Sequence, residues 1–364
     1  MLKNNIRYCA VDTGKKDTKL KSFDPDTKKT MLLKFCTKIS EGTFDDDMFE
    51  KGTFIVQVDD GPVYKIGHGA RNEPEMETSK KSEIHRVCTY AAVALACGCS
   101  EHMNVNIAIG IPFKLCEIPE ERISYKKYIL GEPGVLHKVR IKTTCSGPVC
   151  TSNFTFNKTN VYPEGIGTLY EFPARLQGIT GIIDIGNLNT NYLYCDSFLI
   201  NSDGCHTNEM GGKILITGLS GMLSGELGAR VDVPLAAATL LKPYQERYLP
   251  ANNGNKELSI RSKALIDQFL LEHVRSIKQA CDAKHWPLLF MNLVFVGGTS
   301  RLLQNEIREV FGENVFIPDA PEYVNVKGFL KKLCADDEID LEAETGKAAM
   351  DKTKAKANTG DKTA

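Results

Sequence analysis

Apolar and polar positions alternate in "RYCAVD", "FIVQVDDGPVYKIG", "NVNIAIGIP", "GIIDIG" and "NLVFVGG", the period of two that a strand imposes on its side chains. Two longer stretches, "SEIHRVCTYAAVALACG" and "ELSIRSKALIDQFLLEHVRSIKQACDA", repeat instead at the spacing of an amphipathic helix. The mixture predicts an α/β protein. A charged stretch over 44–81, holding one hairpin-like pair of apolar runs, reads as an insertion between the first strands and a helix over 82–98. Beyond residue 335 the chain has no aromatic residue, an acidic first third and a lysine-rich end, which predicts a disordered tail over 335–364.

The pattern also repeats. Moving the opening stretch "CAVDTGKKDTKLKSFD" by 172 positions lays Asp12 on Asp184, Gly14 on Gly186, Thr18 on Thr190 and Asp24 on Asp196, with apolar Val11 on Ile183. Two halves therefore share one hairpin, and a duplicated domain with a cleft between its halves follows. In each copy an apolar strand ends in Asp and a Gly stands two residues later, so the backbone can approach a ligand closely. Successive N–H groups in such a turn form a concave anion site, to which Thr hydroxyls and Lys ammoniums add donors. The Asp cannot face a phosphate without repulsion, and its natural partner is a divalent cation or that cation's waters. Taken singly, either turn could equally be a tight hairpin built from turn-favouring residues.

A third Gly-rich feature lies in "NLVFVGGTSRLLQNEIREVF", where a buried strand meets a Gly297-Gly298 turn with Thr299 and Ser300 before a helix near Arg301. Such a junction leaves room for a flat ring or a sugar against the backbone. No GxxxxGK[ST] occurs, so a P-loop is not how this chain would hold phosphate.

Composition narrows the classes. At 364 residues and 42% apolar content the chain is large enough for two domains. Forty-five basic against 46 acidic residues give a formal charge of -1, so the overall balance does not suggest a DNA-coating protein, and any DNA connection would need an adaptor. No run of 18 apolar residues exists and the N-terminal stretch lacks the apolar core of a signal peptide, so the expectation is a cytoplasmic protein that does not meet a membrane. Twelve cysteines are scattered without a CxxC pair, and the single CxC, Cys97 and Cys99, has no His or Cys cluster beside it. They read as reduced, mostly core residues rather than metal ligands. The sequons at Asn153 and Asn157 read as chance matches.

In this order the features resemble a known superfamily. "DTGKKDTK" is similar to the first phosphate loop, "DIGNLNT" to the second and "VFVGGTSRL" to the adenosine motif of the actin, Hsp70 and sugar-kinase superfamily. Within it, "EIHRVCTYAAVALACG", "NVNIAIGIPFKLCE", "YKKYILGEPGVLHKVRIKTTC", "VYPEGIGTLYEF" and "APEYVNVKGFL" resemble the bacterial plasmid-segregating actin-like proteins of ParM type. The resemblance implies a two-domain actin-like fold, each half a mixed β-sheet flanked by helices, with nucleotide in the interdomain cleft. It implies domain I over 1–177, including the inserted subdomain at 44–81, with 318–334 packing back on it, and domain II over 178–317.

Carried over by residue, the resemblance makes Asp12 a holder of the Mg²⁺ water shell and Lys19 the lysine that reaches the β- and γ-phosphates, with Gly14, Lys15, Lys16 and Thr18 in the first turn. Asp184 matches the second-loop Asp that orients cation and attacking water, with Gly186, Asn187 and Thr190 lining that turn. Here Asn187 and Leu188 replace the family's small residues. Glu164 in "VYPEG" matches the carboxylate that polarises the nucleophilic water; read without the family it is an exposed Glu in a turn. Gly211 and Gly212 resemble a Gly-rich turn near the nucleotide, or else a simple helix entry, and Gly297, Gly298 and Thr299 the adenosine contact. Lys15 and Lys16 could also be exposed turn charges. The implied cofactors are ATP or ADP, with GTP open, and Mg²⁺ held through water by Asp12 and Asp184. The implied activity is ATP hydrolysis in a homopolymeric filament that moves plasmid DNA through a centromere-binding adaptor. A sugar-type kinase and a non-segregating cytoskeletal actin are the alternatives.

Overall fold

The computed structural model describes residues 5–46, 50–74, 79–250 and 256–346. The chain forms two compact units, Met1–Glu171 with Asn325–Ala364, and Phe172–Val324. The first holds strands β1 (Ile6–Thr13), β2 (Asp17–Asp24), β3 (Lys29–Cys36), β4 (Ile39–Glu41), β5 (Thr53–Val58), β6 (Val63–Gly67), β7 (Ser100–Ile111), β8 (Leu136–Lys142) and β9 (Cys150–Pro163). They make one nine-stranded sheet in the order β3-β2-β1-β7-β9-β8-β5-β6-β4. β1, β7 and β9 run parallel and the flanking strands antiparallel, so the sheet is mixed. Helices α1 (Glu83–Cys97), α2 (Phe113–Glu117), α3 (Pro119–Leu130) and α4 (Gly167–Glu171) accompany it. Helix α1 is buried without a break from Val87 to Ala94, which is why its sequence is apolar nearly all round rather than on one stripe.

The parallel trio determines what gathers at one end of this sheet. Val11 pairs with Ile109 and Ile111 with Pro163, so β1, β7 and β9 end side by side at Asp12, Ile111 and the turn beginning at Glu164. The carboxyl ends of parallel strands are where open α/β sheets bind ligands.

The second unit has strands β10 (Ile179–Ile185), β11 (Thr190–Asp196), β12 (Leu199–Ile200), β13 (His206–Asn208) and β14 (Asn292–Val296), in the order β12-β11-β10-β14 with β13 on β11. Its helices are α5 (Gly212–Leu227), α6 (Val233–Leu240), α7 (Lys256–Asp282), α8 (Gly298–Leu302) and α9 (Gln304–Phe311); α10 (Val324–Ala335) carries the chain back into the first unit. Helix α7 buries Ser262, Ile266, Leu270, Val274, Ile277 and Cys281, one stripe at steps of three and four. The internal repeat holds to the level of register: Asp12 pairs with Lys19 as Asp184 pairs with Asn191, and Thr13 with Thr18 as Ile185 with Thr190.

Several expectations change. Within the inserted 44–81 stretch, β5 pairs with β8 of the main sheet, and Phe54, Ile55, Val56, Ile66 and Lys80 are buried. Chain return to the first unit falls at residue 325 rather than 318, because Pro321 accepts from the Gly297 N–H at 3.0 Å and Phe316 packs on Phe172 within the second unit. The described part of the expected tail is packed. Asp337 accepts from the Tyr8 hydroxyl (2.8 Å), the Asn106 amide (3.0 Å) and the Lys158 ammonium (2.5 Å), one residue from each of β1, β7 and β9, and 341–346 are helical. Residues 347–364 lie outside the described residues. Most cysteines are buried as expected, but Cys99 and Cys150 form a disulfide. The pairing of β7 with β9 at Ser100 and Ser152 brings their Cα atoms to 5.3 Å. No helix among the described residues is long and apolar enough to cross a membrane.

Two stability predictions follow from this packing. Removing the Asp337 carboxylate strands three donors at the amino end of the parallel trio, so Asp337→Ala should lower the urea-unfolding free energy by roughly 1–3 kcal/mol; an unchanged midpoint and slope would show that the segment after α10 is not part of the cooperative fold. In the second unit Glu306 is 2% exposed, and burial raises its carboxyl above the ordinary range, its own backbone N–H and Arg247 at 3.9 Å offsetting only part. Between the ordinary and raised values the folded chain keeps a proton that the unfolded chain has released, so stability falls as pH rises through that window. Glu306→Gln should therefore melt higher than the parent at about pH 8 and alike at about pH 4; calorimetry showing a lower Tm at the higher pH would make the Arg247 pair net stabilising.

Candidate functional site

In the first unit, β1 turns into β2 through residues 14–16, closed by the Gly14 N–H donating to the Asp17 carbonyl at 3.1 Å. Asp12, last but one on β1, is 5% exposed, and each of its oxygens meets an ammonium: Lys19 at 3.4 Å and Lys80 at 3.2 Å. Burial alone would raise this carboxyl, but the two lysines overcome it and hold it at about 2. Lys80 reaches further, to Glu164 at 2.5 Å, and is itself 3% exposed. Burial would strip its proton; Glu164 and Asp12 more than reverse that and hold the ammonium charged. The result is one row of alternating charge, Lys19, Asp12, Lys80, Glu164.

Glu164 is placed by its turn. Its N–H donates to the Ile111 carbonyl at 2.8 Å, and the next N–H, of Gly165, to the Asn325 side chain at 2.9 Å. Gly328 on α10 lies so close to the same segment that a Cβ there would fall 1.9 Å from the Gly167 carbonyl oxygen. Tyr125 donates to the Gly110 carbonyl beside this row, and burial raises its phenol. Behind it His85 is fully buried, with its pKa pushed down to about 2 by burial and by Lys80 and Lys15, so the ring is neutral.

The second unit repeats the turn but holds it differently. The Gly186 N–H donates to the Asn189 carbonyl at 2.9 Å, the counterpart of the Gly14 bond. The carbonyls of Gly186, Asn187 and Leu188 accept from the N–H groups of Gly212 (3.0 Å), Lys213 (2.7 Å) and Gly211 (3.0 Å), the donors that open α5. Asn187 and Leu188 thus serve by their backbone, and Leu188 by a buried side chain. Gly211 and Gly212 are a helix entry packed on the turn, their N–H groups engaged within the unit. Asp184 is 5% exposed. It is shaped by Gly297, whose φ of +87° and a would-be Cβ 2.4 Å from Asp184 Oδ1 admit only glycine. Thr299 donates to the Gly186 carbonyl at 2.8 Å, tying the adenosine-motif candidate to the turn, while Gly298 opens α8 with no atom nearer than 3.8 Å to a Cβ.

The structure brings Asp12, Gly14, Lys19 and Glu164 together in the first unit, and Asp184, Gly186, Asn187, Gly297 and Thr299 in the second. It removes Thr18 and Thr190 from the ligand candidates: both are fully buried, Thr18 bonded to the Thr37 hydroxyl and Thr190 to the Met210 carbonyl. Lys15 is engaged with the Ser79 carbonyl at 2.8 Å, and Lys16 is exposed. The residue that sequence reasoning missed is Lys80, 68 positions from Asp12 with no local motif to mark it.

A divalent cation fits these residues only through water. Both Asp12 oxygens already carry an ammonium, and the described residues contain no group of three or more His, Cys, Asp or Glu that could hold a bare metal ion. A hydrated divalent cation, held by Asp12 through its waters and not by direct ligation, is what that donor set would accept.

Comparisons with known proteins agree with this architecture. Residues 10–167 match the family of actin-like proteins, N-terminal domain. No curated protein matches the sequence. Among solved structures, the Alp12 filament is similar at 20% identity over 92% of this chain and 100% of that one, with a TM-score of 0.64. Ta0583, an archaeal actin homologue, is similar at 18% identity over 91% and 99%, with a TM-score of 0.71. ParM of Bacillus thuringiensis with ADP is similar at 15% identity over 92% and 100%, with a TM-score of 0.66. With two mixed sheets and the repeated Asp-Gly hairpin, residues 10–167 match the actin-like N-terminal family and the chain has an actin-like fold similar to that of ParM.

Proposed function

We propose that this chain is a nucleotide-dependent, filament-forming ATPase that segregates plasmid DNA through a separate centromere-binding adaptor. The observation that carries the reading is the recurrence of one Asp-Gly turn, in one register, at a strand end in each unit, with Glu164 tied to the first turn through Lys80. The relatives solved as a filament and with ADP support assembly and nucleotide binding as properties of this fold.

Both turns would serve the same nucleotide. A hydrated Mg²⁺ on the phosphates supplies charge neutralisation when bound. The chain's own residues do the rest. Asp12 and Asp184 would hold the hydrated metal through its waters. The Lys19 ammonium offsets charge on the β- and γ-phosphate oxygens. Glu164 accepts a hydrogen bond from the attacking water and aligns its lone pair with the γ-phosphorus, which suffices because phosphoryl transfer to water gains mostly from positioning and charge stabilisation. Loss of the γ-phosphate then removes contacts that favour the assembled form, and the filament weakens.

On adding Mg·ATP, right-angle light scattering should rise before phosphate appears in the same sample; turnover with no scattering change would point to a sugar-type kinase or a soluble switch instead. Glu164→Gln, which keeps the shape of the side chain, should assemble normally and release phosphate roughly 100-fold more slowly, and parent-like release would remove Glu164 from the chemistry. Because the chain carries a formal charge of only -1, filaments pelleted with duplex DNA alone should leave the DNA in the supernatant, and DNA should enter the pellet only with an adaptor bound to its centromere site. DNA pelleting with the filament alone would overturn the adaptor part of the reading.

A further inference from the structure

Lys80 is almost wholly buried, yet its ammonium is held by two carboxylates from distant parts of the first unit, Asp12 at the end of β1 and Glu164 in the turn after β9. Its neighbours are tied down as well. The Ser79 carbonyl accepts from Lys15 of the first turn at 2.8 Å, and the Lys81 ammonium meets Glu121 of α3 at 2.7 Å. Three consecutive residues, 79 to 81, therefore each anchor to a different part of the first unit, immediately before α1 begins.

A buried carboxylate, Asp12, and a half-buried one, Glu164, that meet the same ammonium would repel each other without a cation between them. Enzymes commonly place a second divalent ion in that position during phosphoryl transfer. Here a covalently attached ammonium already stands there.

We infer that Lys80 is a tethered cation that replaces a second metal ion: it is a positioning residue that joins Asp12 to Glu164 and so fixes the water-orienting carboxylate relative to the metal-water-holding one. This deepens the ATPase reading and its catalytic part rests on it, whereas the electrostatic part does not. A lysine in this place confers two properties that a metal would not. The link between the two carboxylates persists without nucleotide or Mg²⁺, and it reports the position of the 79–81 segment to both of them.

The test compares the parent with Lys80→Met, Glu164→Gln and the double variant. In nucleotide-free protein, Lys80→Met leaves the two carboxylates without their shared cation, so its melting temperature should fall and should recover in part on adding MgCl₂ alone, a response the parent lacks. The double variant, with one carboxylate neutralised, should melt higher than Lys80→Met and lose the Mg²⁺ response; it also keeps the test decisive if the single variant does not fold. A Lys80→Met protein that melts like the parent and ignores Mg²⁺ would overturn the inference. For the catalytic part, Lys80→Met should release phosphate at least roughly 100-fold more slowly in single turnover while binding a fluorescent ATP analogue within about threefold of the parent. Loss of nucleotide affinity with an unchanged single-turnover rate would make Lys80 a phosphate ligand and overturn the positioning role. If the parent itself releases no phosphate, the ATPase reading fails, and the melting series still decides whether Lys80 acts as the tethered cation.

Discussion

The buried carboxylate at the end of β1 is compensated by two ammoniums, and that compensation shapes the first unit's functional end. Asp12 has little access to water, and leaving such a charge unpaired would cost about 3–5 kcal/mol, a large share of the net stability of a domain. Lys19 alone, at 3.4 Å across the hairpin, contributes one partner from the adjoining strand. The second comes from Lys80, and because Lys80 also meets Glu164, compensation of one residue draws β1, the 79–81 segment and the turn after β9 into one unit of electrostatics. The same contacts that stabilise the fold assemble the candidate chemistry.

The duplicated hairpin shows how one local solution is adapted to two surroundings. In the first unit the turn is bordered by lysines, and its Asp is balanced by ammoniums. In the second, the turn is fastened by backbone: three successive carbonyls meet the N–H groups that open α5, and Thr299 closes on Gly186. Helix N-termini leave donors without partners, and here a turn supplies the acceptors. Backbone bonds fasten the second turn, whereas ammonium-carboxylate contacts border the first.

Legibility in the sequence followed the distance between partners. The paired hairpins could be read because Asp, Gly and the alternating residues lie within one short segment, and the repeat confirmed them. Thr18 was misplaced although the alternation contained the answer: Thr18, Leu20 and Ser22 are buried on one phase of β2, while Lys19 and Lys21 lie half-buried on the other. Gly211 and Gly212 look like ligand-approach glycines, but a helix entry and a phosphate loop call for the same residue type. The 44–81 stretch looked peripheral because it is charged and inserted, and only the pairing of β5 with β8 makes it part of the sheet. Lys80 could not be read at all, since its role exists only once strands far apart in sequence end side by side.

The turn that carries Glu164 has a further constraint, and it bears on how its chemistry could be controlled. Its N–H groups are bound by the Ile111 carbonyl on one side and by Asn325 on the other, and Asn325 is the first residue of the first unit after the chain returns from the second. Three residues on, Gly328 approaches Gly167 too closely for any side chain, and Lys331 pairs with Glu171 at 3.0 Å, the last residue before the chain leaves. The segment from Glu164 to Glu171 is thus keyed along α10, and both chain crossings are rooted in it. Close packing transmits small displacements instead of absorbing them. The buried Lys80 ammonium that bridges Glu164 to Asp12 adds to the backbone bonds of this turn a restraint on the carboxylate itself.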